Sequence, residues 1–199
     1  MSVRQPFIVG IGGTTRAGSS TEQAVTIALA AAERAGARVQ LFGSEVLAQL
    51  PHYLTGAAEA SRHGRDLVDA VRTASGVVIG SPGYHGAISG LVKNALDYIE
   101  ETARDKRVYL DGLPVGLIAT AYGWQATGSR LATLRSIVRA LRGWPTPLGA
   151  AINCSGGIFK GYDCTDPAAK SQLERVGKQV FEFAYLRLID PRLMETSAA

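Results

Sequence analysis

Five short apolar runs, each followed by a longer amphipathic stretch, constrain this chain more than any other feature. FIVGI (7–11), RVQLF (38–42), GVVIG (76–80), VGLIAT (115–120) and LGAAI (148–152) have the length of strands. Most are apolar without alternation, the pattern of parallel strands buried on both faces. The stretches between them have helical spacing. Residues 20–35 set Val25, Ala28, Leu29 and Ala32 on one face, and 66–74 do so with Leu67, Ala70, Val71 and Ala74. Residues 89–100 align Leu91, Val92, Ala95, Leu96 and Ile99, and 129–141 align Leu131, Leu134, Ile137, Val138 and Leu141. Residues 173–188 align Val176, Val180, Phe183 and Leu186.

Such alternation builds βαβ units with right-handed crossovers and helices on both faces of the sheet. Five strands in this length predict an α/β, flavodoxin-like, doubly wound five-stranded parallel sheet. The chain has 199 residues, 46% of them hydrophobic, which is enough for one sizeable core. With no internal repeat or low-complexity linker, one domain over residues 1–199 is expected. The segment 43–64 is long for a connection and is expected to carry a short helix and cover one edge of a site.

Charge and cysteine usage narrow the partners. The net charge of +4 favours anionic small molecules. Arg62, Arg65, Arg72, Arg130, Arg135, Arg139 and Arg142 fall in separate helical stretches, as solvated faces do, so no nucleic-acid stripe is expected. Cys154 and Cys164 fit neither a C-x-x-C nor a zinc spacing and are expected as free thiols. The N-terminus MSVRQPFIVGIGG is broken by glycine and runs into a strand, unlike a signal peptide. No apolar run reaches the roughly 20 residues of a membrane span. A soluble, cytoplasmic protein without membrane contact is the expectation.

Ligands of open α/β sheets bind outside the carboxyl ends of the strands. That directs attention to the loops 12–20, 80–89 and 120–128. The first, GGTTRAGSST, joins a strand to a helix whose first amides carry partial positive charge. Thr14, Ser19, Ser20 and Thr21 add hydroxyls there, and Arg16 adds a fork for phosphate oxygens. Gly13 and Gly18 have P-loop spacing, but Ser19 stands where the nucleotide-binding lysine would be. Gly10 and Gly12 are followed by Thr15, so the dinucleotide fingerprint fails too. No core strand ends in the aspartate expected for magnesium. One terminal phosphate held without a metal fits best; an ordinary polar turn capped by Ser19 or Ser20 is the plainer alternative.

The second loop, GSPGYHGAISG, raises a different expectation. Ser81 and Pro82 should stop the strand, Gly83 and Gly86 should admit a flat ligand, and Tyr84 and His85 should flank it. The alternative is punctuation by Gly and Pro, with Tyr84 plugging the core. Ser81 and His85 do not form a hydrolase site, because the G-x-S-x-G elbow is absent. His52 and His63 read as surface residues.

The run SPGYHGAISGLVKNALDY resembles the signature of the NADPH-dependent FMN reductase family, S/T-P-x-Y-x-G-x-x-x-G-x-x-K-N-x-x-D. Ser81, Pro82, Tyr84, Gly86, Gly90, Lys93, Asn94 and Asp97 match it. The first loop resembles the family's G-S-x-R-x-x-S phosphate loop through Gly13, Thr14, Arg16 and Ser19, with Thr14 in place of serine. The likeness covers the strand–helix plan to about residue 152.

The resemblance implies an FMN site. Thr14, Arg16, Ser19, Ser20 and Thr21 would hold the phosphate. Pro82, Gly83, Tyr84, His85 and Gly86 would contact the ring, and Thr120 and Gly123 would line it. In the third loop, TAYGWQATG, Tyr122 and Trp124 depart from the family's small residues. Stacking on flavin, roofing a substrate and packing all stay open for them.

The implied activity is hydride transfer from NADPH, or NADH, to FMN as cofactor or substrate. It needs no side-chain acid or base, so no catalytic residue is assigned. Implied partners are a second copy, as homodimer or homotetramer, and a flavin-dependent monooxygenase receiving reduced FMN. The helix after the second loop and the final helix, with Phe181, Phe183 and Tyr185, are the candidate subunit contacts. Two further readings stand beside this one: a quinone or azo reductase with bound FMN, and a flavodoxin-like electron carrier.

Overall fold

The computed structural model describes residues 5–54, 56, 59 and 61–190, and of residues 124–127 it describes the backbone only. All five expected strands form one parallel sheet in the order β2-β1-β3-β5-β6. They are β1 (Phe7–Gly12), β2 (Arg38–Phe42), β3 (Gly76–Tyr84), β5 (Pro114–Ala121) and β6 (Trp144–Asn153). A short β4 (Ala87–Ile88) folds back antiparallel on the end of β3. Every residue of β1 and β5 is buried, which explains why their sequences do not alternate.

Helices cover both faces. α1 (Ser20–Arg34) and α6 (Pro167–Ile189) lie on one. There Val25, Ala28, Leu29, Leu173, Val176 and Val180 pack with Ile8, Val78 and Ile118. α3 (Arg62–Thr73), α4 (Gly90–Asp97) and α5 (Trp124–Ala140) lie on the other. Leu67, Val71, Val92, Leu96, Leu134 and Val138 pack there with Val9, Ile11, Val77, Ile79 and Leu117. A short α2 (Ser44–Gln49) follows β2, as expected for the long segment. Two glycines set the closeness of α1. A Cβ on Gly80 would lie 2.3 Å from Val25, and one on Gly177 would lie 1.9 Å from the Ala28 carbonyl oxygen. The N-terminus of α1 is therefore held tightly over the ends of β1 and β3.

Four boundaries differ from expectation. β3 does not stop at Pro82; it continues to Tyr84. Proline is tolerated because β1 ends at Gly12 opposite Gly80, so no strand asks for the missing N–H on that side. β6 begins at Trp144, four residues before the apolar run, because Pro145 and Pro147 are acceptable on an edge strand. α5 begins at Trp124, not Ser129, so the third loop is short. Residues 124–128, WQATG, carry no apolar period to reveal that turn. In α6 the predicted buried face fails at its C-terminal end, where Phe183 is 41% and Leu186 50% exposed. There Phe183 and Leu186 line an open groove with Pro114, Trp144, Pro145 and Pro147 at the start of β5 and β6, and the core does not enclose them. Phe181 instead packs against the core and stacks on Tyr185, with ring centroids 5.8 Å apart.

The signature helix α4 acts as scaffold. Asn94 Oδ1 accepts from the Tyr53 amide at 2.8 Å, and its Nδ2 donates to the Pro51 carbonyl at 3.0 Å. The Tyr98 hydroxyl donates to the same carbonyl at 2.9 Å. Lys93 and Asp97 form an i,i+4 ion pair on the helix surface. The motif thus ties down the long segment before α3. Burial, reinforced by Glu101, pushes the Tyr53 hydroxyl up to about 12. Among the described residues no helix is long and apolar enough to cross a membrane.

Candidate functional site

The loop after β1 is knitted to itself and to α1. Ser19 caps the helix, its Oγ accepting from the Glu22 amide at 3.3 Å. The Thr14 hydroxyl accepts from the Arg16 amide at 3.0 Å and donates to the Arg16 carbonyl at 3.3 Å. Gln23 Nε2 donates to the Gly18 carbonyl at 2.6 Å. These contacts hold the turn in shape and leave the Arg16 side chain exposed at the mouth of a cleft.

The second loop is a hairpin turn. His85 and Gly86 both take positive φ, 46° and 86°, as the central residues of a type I′ turn do. Ser81 is fully buried: its Oγ accepts from the Ser89 amide at 3.0 Å and donates to the Pro82 carbonyl at 2.9 Å. It is the brace of the hairpin. Tyr84 is 51% exposed, so it does not plug the core. Behind the hairpin lies Arg130, nearly buried, so close that a Cβ on Gly83 would meet its Nε at 2.6 Å. The first turn of α1 and the end of β5 join where the hydroxyls of Thr21 and Thr120, both buried, bond to each other at 2.6 Å.

These pieces enclose a cleft of about 670 Å³ at the C-terminal ends of the strands. Thr14, Arg16, Ser19, Ser20 and Thr21 line one side, and Pro82, Gly83, Tyr84 and Thr120 line the other. His85, Gly86 and Gly123 are not part of the lining. The first two turn the hairpin away, and the Gly123 amide donates to Asn153 Oδ1 at 3.1 Å. Tyr122 lines the cleft and is 82% exposed. The Trp124 side chain lies outside the described residues. Among the described residues the segment 43–64 contributes none to the lining; α2 supports the first loop from behind instead.

A fourth loop, absent from the sequence-based set, completes the wall with Cys154, Ser155, Gly157 and Phe159. It continues into a hairpin of β7 (Phe159–Lys160) and β8 (Asp163–Cys164). The Tyr162 amide there donates to Gln23 Oε1 at 3.1 Å. Gln23 thus bridges the first loop and this hairpin. The strand-end rule applies equally to the loop after β6, and its glycine-rich sequence CSGGIFKG was the available signal. Both cysteines are free and buried. Burial pushes the Cys154 thiol above its usual range, partly offset by the Ser20 hydroxyl and the Ala121 backbone.

A larger cleft, about 800 Å³, lies at the opposite ends of the strands beside Arg38, Arg72, Lys106, Arg107 and Arg187. Most of its cations are already engaged. Arg72 pairs with Asp69 at 3.0 Å and Asp105 at 2.9 Å. Arg107 donates to the carbonyls of Val71, Arg72 and Tyr109 at 2.6, 2.9 and 2.8 Å. Arg38 lies 3.5 Å over the Phe7 ring. The C-terminal cleft is the one with donors to spare.

The sequence model of the NADPH-dependent FMN reductase family matches residues 6–156. The chain belongs to that family. An FMN-dependent NADPH-azoreductase of Staphylococcus haemolyticus (strain JCSC1435) is 38% identical over 91 residues, 46% of this chain and 45% of the relative. One from Staphylococcus aureus (strain USA300) is 35% identical over 97 residues, 49% and 48% of the two chains. The chain spans about half the length of the curated relatives it matches. Among solved structures, the apo form of an NADH:FMN oxidoreductase (EMOB) aligns with a TM-score of 0.71 at 20% identity, covering 95% of this chain and 94% of that one. A flavodoxin from the domain Archaea aligns with a TM-score of 0.58 at 10% identity, covering 89% and 98%. The fold of this family member is flavodoxin-like.

Proposed function

We propose that this protein holds FMN in the C-terminal cleft and reduces it with NADPH or NADH, as an NAD(P)H-dependent FMN reductase. One observation carries the reading: the anion cradle at the start of α1 and the β3–β4 hairpin open onto the same cleft. The residues fit the group. The first amides of α1 have no intrahelical partner, and the Arg16 fork stands beside them, a donor set suited to a phosphate dianion. Backbone at Gly83 and exposed rings at Tyr84 and Tyr122 suit a flat heterocycle.

Bound FMN supplies the hydride-accepting centre and passes electrons to an acceptor. The chain's own part is to bind and orient. Arg16 and the α1 amides anchor the phosphate end. The Thr21–Thr120 bond ties the first turn of α1 to the end of β5. Tyr84 and Tyr122 shield the mouth from water. A monooxygenase receiving reduced FMN, and assembly as a homodimer or homotetramer, belong to the same proposal.

The names of the Staphylococcus relatives favour a second reading, reduction of an azo acceptor, or similarly a quinone, through FMN that stays bound. One set of assays separates the two. The purified chain should quench FMN fluorescence, and NADPH oxidation should then rise with free FMN in excess. Azo or quinone reduction at stoichiometric FMN, with no further gain from excess FMN, selects the second reading. FMN binding without oxidation of either nicotinamide selects an electron carrier. Absence of FMN binding overturns the proposal.

A further inference from the structure

Glu22 is 8% exposed, and among the described residues it forms no ion pair, so its carboxylate needs another reason to be buried. It stands three residues after the N-cap Ser19, where a capping-box glutamate would turn back to the cap's own amide. Instead Glu22 Oε2 accepts from the Ser44 amide at 2.8 Å. Ser44 is the first residue of α2, whose N-cap, Gly43, has no side chain to cap with. Glu22 therefore caps a second helix from the first turn of α1.

The contact is passed on to the anion loop. Ser44 Oγ accepts from the Thr14 amide at 3.2 Å. Gly13 lies against the same residue, where a Cβ would be 2.7 Å from Ser44 Oγ. Thr14 in turn holds the Arg16 backbone through its hydroxyl. On the far side, the Tyr162 hydroxyl donates to Glu22 Oε1 at 3.4 Å. Neither Glu22 nor Ser44 lines the cleft.

We infer that Glu22 is a positioning residue for phosphate recognition: through Ser44 it fixes the Gly13–Thr14 turn, and so sets the preference for FMN over riboflavin. The inference rests on the FMN reading of the site. The relay touches only the phosphate end, so its loss should weaken phosphate-bearing flavin selectively. A merely structural role would weaken both flavins alike.

The test uses the full chain free of flavin, with Glu22→Ala, Glu22→Gln and Ser44→Ala, titrated with FMN and with riboflavin. Both alanine variants should lose about tenfold in FMN affinity, the scale of one hydrogen-bonded contact, with riboflavin affinity unchanged. Glu22→Gln should bind like the original, because its amide oxygen still accepts from Ser44. Amide hydrogen exchange at Thr14, measured without flavin, should accelerate in the alanine variants while the later amides of α1 stay protected. Equal loss of both flavins, no loss, or a Gln variant as weak as Ala would overturn the inference. If Glu22→Ala fails to fold, Ser44→Ala and the Thr14 exchange decide it. An original chain that binds no FMN overturns the proposed function first; unchanged Thr14 exchange would then overturn the relay separately.

Discussion

The two clefts at opposite ends of the sheet differ in a way that volume and charge do not reveal. The N-terminal one is larger and richer in arginine. Yet its cations serve the fold: Arg107 saturates carbonyls at the end of α3, and Arg72 is held between two carboxylates. The C-terminal cleft has one arginine in its lining, and the Arg16 guanidinium forms no ion pair among the described residues. It also has helix amides that α1 cannot satisfy itself. A donor already spent on protein must give up that bond before it can serve a ligand, and the exchange gains little. Unspent donors, more than space or net charge, distinguish a site from a solvated groove.

The largest expected effect breaks the comparison directly. Arg16→Ala should weaken FMN binding by about 1.5–3 kcal/mol, the worth of a hydrogen bond to a charged group. That corresponds to roughly ten- to a hundredfold in Kd. Arg187→Ala, in the other cleft, should leave FMN affinity where it was. Fluorescence titration of both variants decides the matter. Equal losses, or none for Arg16→Ala, would mean that the cradle is not where phosphate is read.

The converse substitution has its effect on stability. Arg107→Ala removes a guanidinium from three backbone carbonyls, two of them in the last turn of α3. Urea unfolding should record a loss of about 1.5–3 kcal/mol, with FMN affinity unchanged. A variant that keeps its stability but binds FMN worse would exchange the roles of the two clefts.

The contrast also marks what the sequence made legible. Short apolar runs, most of them unbroken, gave the five strands, and the 3.6-residue period gave the helices, because burial on a sheet imposes both patterns. Boundaries were hidden wherever the local residues obey a different constraint. Pro82 read as a stop, and the last strand was drawn only from Leu148, although a free edge makes Pro82, Pro145 and Pro147 harmless in a strand. Residues 124–128 gave no apolar period, and the end of α6 kept a period although Phe183 and Leu186 only line an open groove. In the cleft, residues next to a strand end were readable from sequence. The Thr21–Thr120 hydroxyl bond and the Glu22–Ser44–Thr14 chain were not, since their partners lie 99, 22 and 30 positions apart. His85 was expected at the ligand for its chemistry, but its backbone conformation spends it on the turn.

The smallest expected effect tests where the C-terminal cleft ends. Burial pushes the thiols of both Cys154 and Cys164 upward, but only Cys154 lines the cleft. Alkylation proceeds through the thiolate, and burial disfavours the thiolate. Both residues should therefore react more slowly than free cysteine near neutral pH, with rates still rising above the usual thiol range, where a free thiol has levelled off. FMN should slow the reaction at Cys154 further, because the ligand would cover that wall. Cys164, facing the Asp166 carbonyl at 3.4 Å, should keep its rate. Single-cysteine variants followed by mass spectrometry separate the two. Equal protection at both sites would mean that FMN binding tightens the whole β7–β8 hairpin, and the cleft would then have to be drawn wider than its lining. Protection at Cys154 alone keeps the boundary at the end of β6, between a wall that meets ligand and a hairpin that braces it.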